Sequence, residues 1–449
     1  MLLLASFGRA HRAVVLAQTA VPAPSGAASP APITLDQAIA LARSNEPGFA
    51  AAAAGSRASN LDRSIARAAL LPGVTYHNQF LYTQAANGST GSANASASSP
   101  TVTSEPRFIG NNAVHEYTSQ GIVSETIGLQ QITAVSRADA TAAVASAELE
   151  IARRGLTATV VSLFYGSIAA DHKVAVAQRA ALEASSFTQL TQQRESAREA
   201  AHADVVKAEL QQQQRERDAA DALLQQQKSR LELGVLLFPD PRSPFTLATA
   251  SDVPSLAPRA DVEAAASQGN PELRSALGSL RVSNLDVTAA RAAYLPDLGL
   301  SVAYGIDAAH LASQEANGAR NLGYSATATL DIPLWDWLST EHKVRQAKIF
   351  RDAVQTALSA AQRRLVAQLD ESYAEAATAR DQLKSLDQSV DTARESLRLT
   401  NLRYTAGEAT VFEVVDAQNS LTSMELARED GMIRYETALA NLQLLTGIL

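Results

Sequence analysis

"SNLDRSIARAALLPGVTY" runs from Ser59 to Tyr76, and "SNLDVTAARAAYLPDLGL" runs from Ser283 to Leu300. The second restates the first at an offset of 224 positions, so that Asp62 meets Asp286, Arg67 meets Arg291 and Pro72 meets Pro296. Pro47 and Pro271 obey the same offset. Farther along the best offset is 209, where Arg194 meets Arg403, Ala200 meets Ala409 and Val205-Val206 meets Val414-Val415. Self-similarity on this scale points to two tandem copies of one structural plan. The change of offset means that the first copy carries extra residues between the two blocks. They fall in the Ser/Ala/Asn/Gly tract from Thr83 to Glu116, which reads as a solvated loop. The expected division is an export signal and linker over 1–32, copy one over 33–240 and copy two over 241–449.

Within each copy the apolar period changes. From Thr34 to Leu71 it is helical, interrupted once at Asn45-Glu46-Pro47. Pro72 stops the helix, because its ring cannot sit in a helix interior and it pushes the preceding residue out of the helical region. After it the period becomes two. Val74, Tyr76, Phe80 and Tyr82 alternate with Thr75, His77, Gln79 and Leu81. In copy two Leu298, Leu300, Val302, Tyr304 and Ile306 alternate with Gly299, Ser301, Ala303 and Gly305. A returning strand follows in each copy, over Leu322 to Ile332 and, less regularly, over Tyr117 to Ile127, where Glu125 interrupts the apolar face. The polar faces carry Gly, Ser and Thr with few charges, and each strand has about ten residues, the length that spans a bilayer when tilted. Leu298, Leu300, Val302 and Tyr304 are the candidate lipid-facing residues.

The remaining segments read as long heptad helices. One seam runs Leu369, Ala376, Leu383, Val390, Leu397, Tyr404; a second, after a break at Thr405 to Thr410, runs Val414, Leu421, Arg428, Tyr435, Leu442. The spacing predicts an antiparallel hairpin in each copy, over about Leu338 to Leu445 and about Thr133 to Leu233. The turn of the first hairpin, "SAREAAH", lacks the Gly of the second. Four strands cannot close a barrel, and an open edge is not tolerated in lipid. Strands in a membrane therefore require several copies of the chain.

Composition narrows the function classes. The net charge of -8 argues against a nucleic-acid partner. The absence of Cys excludes disulfides, thiol catalysis and Cys-bound metals. No run of apolar residues is long enough for a transmembrane helix, which says nothing of a β-barrel. The N-terminal "MLLLASFGRAHRAVVLAQTA" reads as an export signal, and "VPAPSGAASPAP" as an extended linker. The seven His are scattered without helix-ligand spacing, so no metal, cofactor or catalytic residue is expected.

On these residues the chain resembles the TolC-type outer-membrane efflux protein family, from Ile33 to its end. The carriers are the duplicated Ala-Arg-Ala-Ala-x-Leu-Pro joints at Ala66 to Pro72 and Ala290 to Pro296, "DIPLWDW" at Asp331 to Trp337, and "RYTAGEATVFEVVDAQNSL" at Arg403 to Leu421. The resemblance implies a homotrimer whose twelve strands form an outer-membrane barrel and whose helices form a periplasmic α-barrel. It implies a passive exit duct, not an enzyme, for a tripartite efflux pump or a type I secretion system. The implied partners are a periplasmic adaptor, an inner-membrane transporter and outer-membrane lipid. It marks Tyr404, Gly407, Glu413 and Asp416 as tip and gating residues, with the two carboxylates crowding a constriction and raising each other's pKa. Two departures stand out. Ala409 occupies the place of a family Arg that links protomers, and copy one offers Asp204 and Lys207 where copy two has Glu413 and Asp416. The alternative from a different class is a soluble periplasmic coiled-coil scaffold.

Overall fold

The computed structural model describes residues 32–82, 115–248, 254–308, 310–314, 318 and 320–447. The expected export signal and nearly all of the expected Ser/Asn-rich loop lie outside the described residues.

Two short helices open the chain, α1 (Leu35–Asn45) and α2 (Pro47–Ala68). Thr34 and Gln37 form a capping box on α1, and Glu46 accepts from the Phe49 N–H to start α2 behind Pro47. The interruption expected at Asn45-Glu46-Pro47 is thus a helix-to-helix joint. Pro72 follows the end of α2, and β1 (Gly73–Tyr82) and β2 (His115–Ile127) come next. The long helix α3 (Leu129–Ser196) turns back through α4 (His202–Leu237). The second half lists the same order: α5 (Arg259–Gly269), α6 (Pro271–Ala292), β3 (Asp297–Ala308), β4 (Leu322–Asp331), α7 (Ser339–Thr405) and α8 (Val411–Thr446). At 68 and 67 residues, α3 and α7 each run about 100 Å.

The four strands form one antiparallel sheet in the order β1-β2-β3-β4, with β2 and β3 joining the halves. Register puts every expected apolar position on one face. Leu298, Leu300, Val302 and Tyr304 stand opposite Leu330, Ala328, Ala326 and Tyr324 on β4. They stand opposite Ile127, Glu125, Val123 and Gly121 on β2, and β1 adds Val74, Tyr76 and Phe80 to the same face. Gly121 and Gly305 are neighbours of the Tyr pair and of Ser119-Gln120. A Cβ on Gly305 would collide with the Ser119 carbonyl and the Gln120 backbone, so β2 and β3 approach as they do only because Gly305 has none. Among the described residues, strands β1 and β4 remain as open edges.

No single core holds the helices. Among the described residues, buried apolar side chains form four clusters strung along them. Ala38 and Ala42 of α1 seat on Val160, Phe164, Leu233 and Leu237. Val262 and Ala266 of α5 seat likewise on Leu369, Ala376, Leu442 and Leu445. The expected seam from Leu369 to Tyr404 is buried at every step. The α8 seam is buried at Val414, Leu421, Tyr435 and Leu442, but Arg428 turns out to solvent and pairs with Asp387 at 2.6 Å. Where α8 ends, buried Arg154 of α3 donates to the Leu444 carbonyl and pairs with Glu150, whose carboxyl the Arg153 and Arg154 guanidiniums hold down at about 2.

Candidate functional site

Both hairpins turn at the same end of the molecule, and their backbones turn alike. In the first, Ala197, Arg198 and Glu199 donate to the carbonyls of Gln193, Glu195 and Arg194. In the second, Ala406, Gly407 and Glu408 donate to those of Leu402, Tyr404 and Arg403. The left-handed residue is Gly407 (φ 79°) in one and Arg198 (φ 64°) in the other. The missing Gly of "SAREAAH" is therefore no change of turn; Arg198 adopts the conformation at the steric cost a side chain carries there.

Tyr404 is 4% exposed and packs its ring 5.1 Å from that of Phe187 in α3. The Arg194 guanidinium lies 4.7 Å from the centre of the Tyr404 ring and donates to the carbonyls of Tyr404 (2.7 Å) and Thr405 (3.1 Å). Tyr404 thus has an Arg partner within its own chain, reached from the other hairpin. The aligned Arg403 does something else: it pairs with Glu413 at 3.1 Å and donates to the Glu408 carbonyl. Sequence alone aligned these two arginines but could not assign their partners, because one contact spans 210 positions and depends on how the hairpins pack. Replacing Arg194 by Gln removes the stack and both charge-assisted bonds. Amide exchange at Tyr404 to Ala406 should accelerate by about tenfold (~1.4 kcal/mol) with exchange in the sheet unchanged. Unchanged exchange at the tip would show that the guanidinium holds nothing there.

Glu413 and Asp416 differ in state. Glu413 closes a capping box with Thr410, receiving its backbone N–H at 3.2 Å. That bond, with the Thr410 hydroxyl and Arg403, holds the Glu413 carboxyl below its usual range. Within one chain this is the opposite of the upward shift expected from crowded carboxylates. Asp416 is exposed and heads a stripe with Ser420, Ser423 and Asp430 along the solvent side of α8. Asp204, at the position matching Glu413, lies in the first turn of α4. Lys207, at the position matching Asp416, sits 5.9 Å from the centre of the Phe412 ring.

Farther up, a charged network ties three helices. Buried Glu425 and Glu429 of α8 receive Arg179 and His172 of α3; Arg394 of α7 reaches Glu425 at 3.5 Å, and Arg428 reaches Glu429 at 2.9 Å. The heptad pattern missed this cluster: it put Arg428 on the buried stripe, whereas the buried residues are Glu425 and Glu429 on either side of it. Among the described residues no cluster of His, Asp or Glu could hold a metal ion.

Residues 264–448 match the family model described as outer membrane efflux protein. Outer membrane protein OprJ of Pseudomonas aeruginosa is 27% identical over 172 residues, 38% of this chain and 36% of that protein, so the match spans little more than a third of that relative's length. The pyoverdine export outer membrane protein OpmQ of Pseudomonas putida is 27% identical over 402 residues, 86% of this chain and 80% of that protein. Among solved structures, the Campylobacter jejuni CmeC outer membrane channel superposes with a TM-score of 0.78 at 14% identity. It covers 92% of this chain and 85% of the other, a likeness of fold.

Proposed function

We propose that this chain is a member of the outer membrane efflux protein family, with its strands in the outer membrane and its helices in the periplasm, and that it is a passive exit duct built from three copies. The observation that carries this reading is the four-stranded sheet, with one apolar face running across all four strands and both edges unpaired. An open edge in lipid leaves backbone groups without partners, so β1 of one copy must pair with β4 of the next. Three copies give twelve strands and a lumen, where two would give a bore filled by side chains. Two tandem copies of one plan supply the strands in pairs. Below the sheet, the hairpins of three chains would line a helical tunnel, with the tips as the surface for a periplasmic adaptor and an inner-membrane transporter. The chain works without catalysis in this reading, and the transporter rather than the duct selects cargo, whether drug or secreted protein.

The test is the purified protein in planar bilayers, alongside its mass in detergent. A trimer with discrete conductance steps is expected. A soluble periplasmic monomer would instead support the scaffold reading and end this one.

The tunnel entrance follows from the tips. Asp416, exposed one turn above the turn, is the residue we assign to a threefold carboxylate ring; Glu413, paired with Arg403 and spent on its cap, contributes less. Such a ring favours cations. Asp416→Asn should reduce cation selectivity and block by polyvalent cations while leaving trimer yield intact. Wild-type selectivity in that variant would move the entrance elsewhere. Gly407→Val forces a β-branched residue into the left-handed region, at about 1–2 kcal/mol. It should weaken adaptor engagement without dissociating the trimer, as read by co-purification with the adaptor.

A further inference from the structure

Between β4 and α7 the chain makes a seven-residue excursion, Ile332 to Leu338, where the first half passes from β2 to α3 through Gly128 alone. The excursion is apolar and uncovered. Leu334 is 89% exposed, Trp335 69% and Trp337 83%, with Ile332 and Leu338 about half exposed. The two indoles meet edge to face, centroids 5.8 Å apart at 70°. Trp337 (φ 56°) and Leu338 (φ 61°) are consecutive left-handed residues. Bulky side chains adopt that region at a cost and hold it only when surroundings impose it. Asp336 accounts for part of this, since its carboxylate accepts the Thr340 N–H at 2.6 Å and its carbonyl accepts from Ser339. Nothing among the described residues covers the indoles themselves.

Two observations indicate what covers them. Ile332 and Leu334 keep the parity of Leu330, Ala328 and Ala326, so the excursion prolongs the apolar face of β4 past the end of its pairing. Just beyond, at the start of the second turn of α7, exposed Lys343 brings positive charge close enough to act on the Asp336 carboxylate. An apolar strand face, then indoles with one N–H each, then a cation, is the order met on passing from acyl chains through the carbonyl layer to phosphate. We propose that Trp335 and Trp337 anchor the chain in the phospholipid headgroup–acyl boundary of the periplasmic leaflet, and that contact with lipid holds the left-handed turn. The proposal rests on the outer-membrane reading above. The competing occupant is a neighbouring copy, whose exposed Leu70 and Leu71 precede the β1 edge that β4 would meet.

These are the only two Trp in the sequence, so intrinsic fluorescence reports on this turn alone. The full chain is reconstituted into phosphatidylcholine vesicles, separated by flotation, and compared with vesicles whose lipids carry bromine near the headgroup end or near the methyl end of the acyl chain. The expected result is floated protein with emission blue-shifted from aqueous indole, quenched more strongly by the shallow bromine than by the deep one. Trp335→Phe and Trp337→Phe, each leaving one reporter, should both keep that order. Floated protein whose indoles are quenched by aqueous acrylamide and by neither lipid overturns the anchor. So does blue-shifted emission quenched by neither agent, which would assign the turn to a neighbouring copy. Failure to float overturns the outer-membrane reading and the anchor with it, and is told apart from the other two outcomes by flotation itself.

Discussion

Val302→Arg should eliminate the proposed outer-membrane trimer. Val302 lies midway along β3, 48% exposed, with Val123 opposite on β2 and Ala326 opposite on β4. None of the three can pair with a guanidinium. A charge on the lipid face near the midplane costs about 2–4 kcal/mol, and a trimer incurs it three times. The measurement is the heat-resistant trimer band in isolated outer membranes. Ser301→Arg supplies the control, because Ser301 faces Ser124 and Thr327 on the opposite, polar side; that variant should assemble. Normal trimer from Val302→Arg together with loss from Ser301→Arg would reverse the two faces.

The neighbouring position is a weaker test, for a reason that register reveals. Leu300 stands opposite Glu125, whose Oε2 is buried without a hydrogen-bond partner. An Arg at 300 can reach that carboxylate, so Leu300→Arg should lose less trimer than Val302→Arg. The Glu125 that interrupts the alternation of β2 thus sits on the apolar face itself.

Much of this was legible because period is legible. A switch from helical spacing to alternation at Pro72 and Pro296, repeated at fixed offset, determines where helices end and strands begin, and parity then determines which residues share a face. The heptad seams were readable for the same reason: Leu369 to Tyr404 keep one stripe for five turns of the pattern, and a stripe of that length has to be buried. What escaped depends on packing between segments far apart in the chain. Arg194 could be aligned with Arg403, but only the approach of the two hairpins brings it onto Tyr404. Arg198 carries no turn signal, since its conformation is imposed by a turn whose hydrogen bonds are the same as those around Gly407. Glu413 read as one of two equivalent acids; its capping box with Thr410 is local but went unread, whereas its Arg403 partner lies on the preceding helix.

Glu436 is the second large effect, and its sign runs against the usual acid. The residue is 4% exposed on α8, where the antiparallel pairing with α3 sets it near Tyr165, and its Oε1 has no hydrogen-bond partner. Burial alone pushes its carboxyl up to about 7. The charged and titratable groups around it give no relief. Tyr165 of α3 is itself shifted upward, first by burial and then by the Glu436 charge; Tyr435 beside it is shifted upward by burial, against the lowering pull of Arg380 of α7, with the Glu436 charge adding a smaller rise. In the unfolded chain the carboxyl titrates at its ordinary value of 4.5. Between these two values the folded chain holds a proton that the unfolded chain has released, so stability falls as pH rises from about 4.5 to about 7 and then stays low. The full shift corresponds to about 3 kcal/mol. Glu436→Gln keeps the shape and cannot ionise. Its denaturant midpoint in detergent should be nearly flat over that window, matching the parent at the acidic end and exceeding it at pH 8 by up to about 3 kcal/mol. A parent curve that is flat over the same window would mean that Glu436 is ionised at no cost in the assembled protein, as a cation from a neighbouring copy would allow; a Gln variant that retains the slope would place the titration on another group.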